Sequence, residues 1–241
     1  MLIFENMKQF LKSFFVNTLP YGTKERPINF LEYLKMAKLE LIVLFAILAF
    51  DQITKGIVQA TMTYNYRGST AIGTTWIIPN FFGFWYTSNP GGAGGFNFWI
   101  DSYAGRLAFF IIFTLIAVTI FAFFMYRFRG EHWLARVTFA MIISGALGNF
   151  FDRLFFRNPA GRFGVRDFIQ FRIGELDFLF FSNGYFATFN VADMALVGGV
   201  ITFAVFFIFM YKPAPPPLVG PVMPENWGAE NNTNEQTNIP G

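Results

Sequence analysis

The chain has 241 residues, of which 54% are hydrophobic and only 14% charged, with a formal net charge of +3. Soluble domains carry about 25% charged residues, so this composition belongs to a membrane-embedded domain with tails, and the small basic excess reflects membrane topology rather than nucleic-acid binding. With no Cys and the single His132, disulfides, thiolate nucleophiles and His- or Cys-rich metal clusters are excluded, and neither a metal, a cofactor nor a nucleic-acid partner is expected.

In chain order, residues 1–39 form an N-terminal segment in which Ile3, Met7, Phe10, Leu11, Phe14 and Phe15 recur at helical spacing, with Lys8 and Lys12 on another face. That pattern suits an interfacial amphipathic helix. No compact apolar core ending in a small-residue cleavage site is present, so it is not a signal peptide. Four segments then reach the roughly 20 apolar residues that a bilayer core requires: residues 40–60, 107–126, 133–151 and 191–211. The third contains Ser144, Gly145, Ala146 and Gly148, small residues that permit close helix contact.

Four spans put both termini on one side and the long loops 61–106 and 152–190 on the other. Lys35 and Lys38, immediately before the first span, together with the basic link around Arg127 and Arg129, favour cytoplasmic termini. The first long loop has aromatic and β-branched runs at 76–82 and 84–87, and the second an alternating run at 164–169. These predict short strands forming a small sheet at the membrane surface. The fold class is therefore an all-α membrane protein, four transmembrane helices carrying a small β-sheet made by the outer loops. The Pro-rich, then Asn-rich, stretch 212–241 is expected to be a disordered tail.

Ionisable groups inside a span cost about 3 kcal/mol on insertion scales, so each needs a partner or a task. Asp51 and Lys55 share a helix face at i, i+4, with Asp51 about 16 Å from Glu40 and thus near mid-membrane. A purely structural ion pair would account for both. Asn149, Asp152 and Arg153 are brought together by spacings of three and four at the outer end of the third span, where an interface cap would explain Arg153 alone. Asn190 and Asp193 open the fourth span. Helix capping can use one of them but hardly both. Asp167 lies in the alternating run, with Glu175 and Asp177 as nearby acids. For a chain so poor in other reactive groups, two carboxylates sharing one proton are the obvious hydrolytic machinery.

Five blocks of the chain resemble lipoprotein signal peptidase, the bacterial type II signal peptidase. They are Asp51-Gln52-Ile53-Thr54-Lys55, Asn89-Pro90-Gly91-Gly92-Ala93, Gly145-Ala146-Leu147-Gly148-Asn149-Phe150-Phe151-Asp152-Arg153, Val165-Arg166-Asp167-Phe168 and Phe189-Asn190-Val191-Ala192-Asp193. The resemblance covers residues 40–211. It implies an intramembrane aspartyl protease of the bacterial inner membrane that cuts diacylglyceryl-modified prolipoproteins just before the lipidated Cys. The catalytic pair it implies is Asp167 and Asp193, supported by Asp51, Lys55, Asn89, Asn149, Asp152, Arg153 and Asn190, with Arg153 and Asn89 as substrate contacts. Its active site would face outward. Its partners would be lipid-modified precursors and membrane lipids, and a monomer is expected.

Departures from the family pattern are Gly94 and Gly95 before Phe96, Ser144 in place of a Gly, and longer stretches on both sides of Asp167. They leave Asp177 as the alternative to Asp167, which alone has a Val two positions before it and Phe-Ile after it. A different class, a four-helix transporter or ion-conducting protein, would place Asp51, Lys55 and Asp193 along a polar path. A purely structural membrane protein would leave the Asn and Asp pairs without purpose.

Overall fold

The computed structural model describes residues 30–66, 74–91, 100, 102–178 and 181–211. The amphipathic pattern of residues 3–15, positions 92–96 and the tail 212–241 lie outside the described residues.

A short helix α1 (Phe30–Met36) leads into α2 (Lys38–Thr61), followed by α3 (Tyr103–Arg127), α4 (Trp133–Phe155) and α5 (Val191–Val205). The last continues as a π-helical turn over Phe206–Met210. The four long helices α2 to α5 are long and apolar enough to cross a membrane, in the number and order expected. α4 runs a turn beyond its expected end at residue 151, because Asp152 and Arg153 find partners inside the protein and need no water at that depth. Helix starts follow capping chemistry: the Ser102 side chain accepts from Gly105 N at 2.9 Å, and the His132 ring accepts from Leu134 N at 3.2 Å.

α4 is the central helix and packs against α2, α3 and α5. The small residues explain how. A Cβ on Gly145 would overlap the Ala192 carbonyl oxygen of α5, and one on Gly148 would lie 2.5 Å from Asp51 Oδ2 of α2. Only glycine lets the three helices meet at this level. At the opposite end, Glu40 and Arg136 form a 2.8 Å ion pair that the sequence did not announce, with Glu40 buried.

The loops supply the sheet. β1 (Thr75–Ile78), β2 (Phe82–Asn89) and β3 (Val165–Phe171) are antiparallel in that order, with Thr87 opposite Asp167 and Asn89 opposite Val165. The two expected strands of the first loop are thus divided at Asn80, whose φ of 55° makes the turn, and the alternating run of the second is a strand. A further two-stranded hairpin, β4 (Phe181–Ser182) with β5 (Tyr185–Phe186), was not anticipated. Its strands are too short to carry a period-2 signal.

Val58, Tyr86, Phe156 and Phe168 form one buried cluster that ties the sheet to the ends of α2 and α4. Beyond it, Ile169 and Phe189 exchange backbone hydrogen bonds of 2.8 and 3.2 Å, which sets the start of α5 beside β3. Replacing Gly145 by Val should therefore destabilise the fold by about 1–3 kcal/mol, the usual cost of overpacking, and lower the unfolding temperature in detergent. Gly56→Ala, where a Cβ would meet nothing within 4 Å, should leave that temperature unchanged or slightly raised.

Candidate active site

The site starts from Lys55. Its Nζ lies 2.9 Å from Asp51 Oδ2, 3.3 Å from Asp152 Oδ2 and 3.1 Å from Asn149 Oδ1, with the Lys and both Asp side chains fully buried. An ammonium has three protons, and here each has an acceptor. Asp51 uses its other oxygen, Oδ1, to accept from Ala192 N at 2.9 Å, satisfying an amide in the first turn of α5. Gln52 Nε2 donates to Asp51 Oδ2 and to the Gly148 carbonyl, at 3.0 and 3.1 Å. The expected i, i+4 ion pair is present, and it is also the junction where α2, α4 and α5 are joined.

Asp193 stands in the first turn of α5 and Asp167 on β3. Asn190, the residue that caps α5, links them. Its Oδ1 accepts from Asp193 N while Asp193 Oδ2 accepts from Asn190 N, both at 3.1 Å, a reciprocal capping box. This corrects the expectation that capping could hardly use both residues. Capping and site geometry are combined: Asn190 Nδ2 donates to Asp167 Oδ1 at 2.7 Å and to Asn149 Oδ1 at 3.1 Å. Asn149 Nδ2 in turn donates to Asp193 Oδ1 at 2.8 Å. Two amides therefore hold two carboxylates in one connected network.

Burial and then the negative charge of Asp193 hold the Asp167 carboxyl well above the usual carboxylate range, against the pull of Lys55 and of hydrogen bonds from Asn190 and Asn89. Two carboxyls that interact in this way titrate as a pair, and the burial of Asp167 favours keeping a proton within it. Asp193 accepts on both oxygens, on Oδ1 from Asn149 and on Oδ2 from Asn190 N. With its carboxyl held well up by burial and by its neighbour, Asp167 is the better holder of the proton.

Asp152 and Arg153, adjacent on α4, diverge. Asp152 accepts from Lys55 and from Arg166, whose Nη2 lies 2.6 Å from Asp152 Oδ1 and whose backbone N lies 2.8 Å from Oδ2. Arg153 donates to the carbonyls of Asn149 at 3.2 Å and Gly91 at 2.9 Å, and its guanidinium lies 4.8 Å from the centre of the Phe110 ring. Asn89 Oδ1 accepts from Gly91 N at 2.9 Å, shaping the turn that meets Arg153. The expected meeting of Asn149, Asp152 and Arg153 is thus reduced to one side-chain-to-carbonyl contact, because opposite charges on other elements compete for Asp152. Asp177 is exposed, whereas Asp167 is buried.

Arg166, Gln52 and Gln59 were not singled out as site residues. Gln52 and Gln59 lie on one face of α2 at i, i+7, a signal that could have been noticed. Arg166 points to the opposite face of β3 from Asp167, so strand alternation hid it.

The family model described as Signal peptidase (SPase) II matches residues 43–209. The lipoprotein signal peptidase of Latilactobacillus sakei is 35% identical over 69% of this chain and 89% of its own. That of Syntrophotalea carbinolica is 31% identical, covering 69% of this chain and 90% of its own. Two bacterial membrane enzymes solved by the in meso method are similar in structure. One has a TM-score of 0.52 at 25% identity, covering 85% of this chain and 95% of its own. The other has a TM-score of 0.54 at 26% identity, covering 72% of this chain and 95% of its own.

Lys55→Met should leave Asp51 and Asp152 as buried carboxylates without their shared cation, a loss of about 3–5 kcal/mol. Thermal unfolding in detergent would show it. Because the partners form one network, Asp51→Asn combined with Lys55→Met should cost less than the sum of the single changes.

Proposed function

Because the chain belongs to the signal peptidase II family, we propose that Asp167 and Asp193 are the catalytic pair with which this membrane protease removes signal peptides from prolipoproteins. The observation that carries this reading is the Asn149–Asn190 amide pair, which binds both carboxylates while Lys55 fixes Asn149 from behind. Residues 40–211 would be the peptidase domain, a span that the family match nearly fills. The substrate would be a diacylglyceryl-modified precursor, cut before the lipidated Cys.

The chemistry follows from the two environments. Ionised Asp193 takes a proton from a water as its oxygen bonds to the scissile carbonyl carbon, and Asp167 gives its proton to the carbonyl oxygen. The resulting tetrahedral diol breaks its C–N bond as the proton now on Asp193 passes to the leaving nitrogen. The reprotonated Asp167 is restored when the diol collapses to the acid. Arg153 offers a further donor, since its buried Nε has no hydrogen-bond partner among the described residues. With Asn89, it would orient the substrate backbone.

The site lies where α2 and α4 end and α5 begins, on the side of the sheet. The basic residues Lys35, Lys38, Arg127 and Arg129 lie toward the opposite end. By the positive-inside rule, that end faces the cytoplasm, with both termini, and the carboxylate pair faces outward in the bacterial inner membrane. The enzyme would work as a monomer in contact with membrane lipid. A transporter finds no support in either the relatives or the buried charges, which close on one another in ion pairs instead of lining a path.

Asp167→Asn and Asp193→Asn should each reduce processing of a prolipoprotein by about 10²–10⁴-fold or more, while Asp177→Asn should process normally. Activity against pH should be bell-shaped. It falls at low pH when both carboxyls are protonated and no base remains, and at high pH when both ionise and no acid remains. Since the Asp167 carboxyl is held well up, the falling alkaline limb should lie above the ordinary carboxylate range.

A further inference from the structure

Resting on the reading of Asp167 and Asp193 as the hydrolytic pair, we propose that Arg166 is a positioning residue that fastens Asp167 to the helices and supplies the last countercharge of the buried cluster. Arg166 immediately precedes Asp167 on β3 and is fixed at three points. Its guanidinium donates to Asp152 on α4, through Nη2 at 2.6 Å and Nε at 3.2 Å. The same group reaches across to α2, where Gln52 Oε1 and Gln59 Oε1 each accept at 3.0 Å. Its backbone N donates to Asp152 Oδ2 at 2.8 Å, and its carbonyl accepts from Asn190 Nδ2 at 3.3 Å. The face of the guanidinium lies 5.1 Å from the centre of the Phe156 ring.

Together these contacts tie the peptide next to Asp167 to α2, to α4 and to the cap of α5. A strand is otherwise free to slide or tilt against helices that it touches only through apolar side chains, and small displacements of a reacting group are costly. The planar fork suits this arrangement, because its donors are spread over Nε, Nη1 and Nη2 and so reach Asp152, Gln59 and Gln52 from separate nitrogens, a spread that the three protons on one ammonium nitrogen lack.

Charge is the second part of the role. Around the pair, α2 brings Asp51 and Lys55, α4 brings Asp152 and Arg153, and β3 brings Arg166. On the sheet side stands Tyr86, whose phenol faces Arg166 and Asp152; burial pushes it up to about 12, so it stays neutral, while the neighbouring Tyr64 hydroxyl is hydrogen-bonded to Ser88 Oγ at 2.7 Å. Asp51, Asp152 and a pair holding one proton carry three negative charges, and Lys55, Arg153 and Arg166 carry three positive ones. The cluster is neutral in the state that hydrolysis requires. Without Arg166 it has an excess negative charge, which favours a second proton on the pair and moves the active window to higher pH.

The test uses the full-length enzyme in detergent with a lipid-modified prolipoprotein, with kcat, KM and the pH profile measured on the folded fraction. Arg166→Gln should lower kcat about 10–100-fold, in the range of supporting-residue losses, with KM little changed. It should also move both limbs upward by about one pH unit. Arg166→Lys keeps the charge and loses the fork, so it should lower kcat while holding the wild-type pH profile. Wild-type kcat and profile in Arg166→Gln would overturn the proposal, and so would a loss of folded protein alone with the folded fraction unaltered. The pair itself is tested separately: cleavage by Asp167→Asn would end the reading on which this role rests, whatever Arg166 does.

Discussion

The structure depends on one buried ammonium. Lys55 binds Asp51 on its own helix and Asp152 and Asn149 on α4, while Asp51 caps the start of α5 through the Ala192 amide. Burial of this ammonium is tolerated because each of its protons has an acceptor, and it neutralises Asp51 while sharing Asp152 with Arg166. The interaction therefore does more than neutralise. It fixes the relative heights of three helices, and so the places from which Asn149 and Asp193 reach into the site.

From that junction the site is built outward in two steps. Asn149, held by Lys55, donates to Asp193, and Asn190, held in a capping box, donates to Asp167. The capping box is a common device for starting a helix, but here the amide nitrogen left over by capping is the group that carries the strand carboxylate. Because Asn190 and Asp193 satisfy the helix terminus and the site together, neither can be changed without disturbing both. Glycine at 145 and 148 is the packing counterpart of this economy, since it lets α4 approach closely enough for side chains as short as Asn and Asp to span the gaps.

Much of this was legible in the sequence, for identifiable reasons. Long apolar runs make the four helices plain, and polar groups inside them stand out because lipid makes them costly. Thus Asp51, Lys55, Asn149 and Asp193 could be picked out one by one. Their pairing was less legible. Helical spacing suggested that Asp152 would meet Asn149 and Arg153, whereas it meets Lys55 and Arg166, since charge on a neighbouring element outweighs proximity on the same one. Arg166 was concealed by strand alternation and Glu40 by its position at a span end, where an acid looks like a boundary and not a partner for Arg136. The hairpin of β4 and β5 and the longer reach of α4 depend on tertiary contacts that no local pattern encodes.

The central claim is that one proton is held between Asp167 and Asp193. Infrared difference spectroscopy on enzyme with isotope-labelled aspartates would observe it directly. The account requires a protonated carboxyl signal that persists at neutral pH in the wild-type enzyme and is lost in both Asp167→Asn and Asp193→Asn. Two fully ionised carboxylates at neutral pH, each titrating independently in the ordinary carboxylate range, would contradict it.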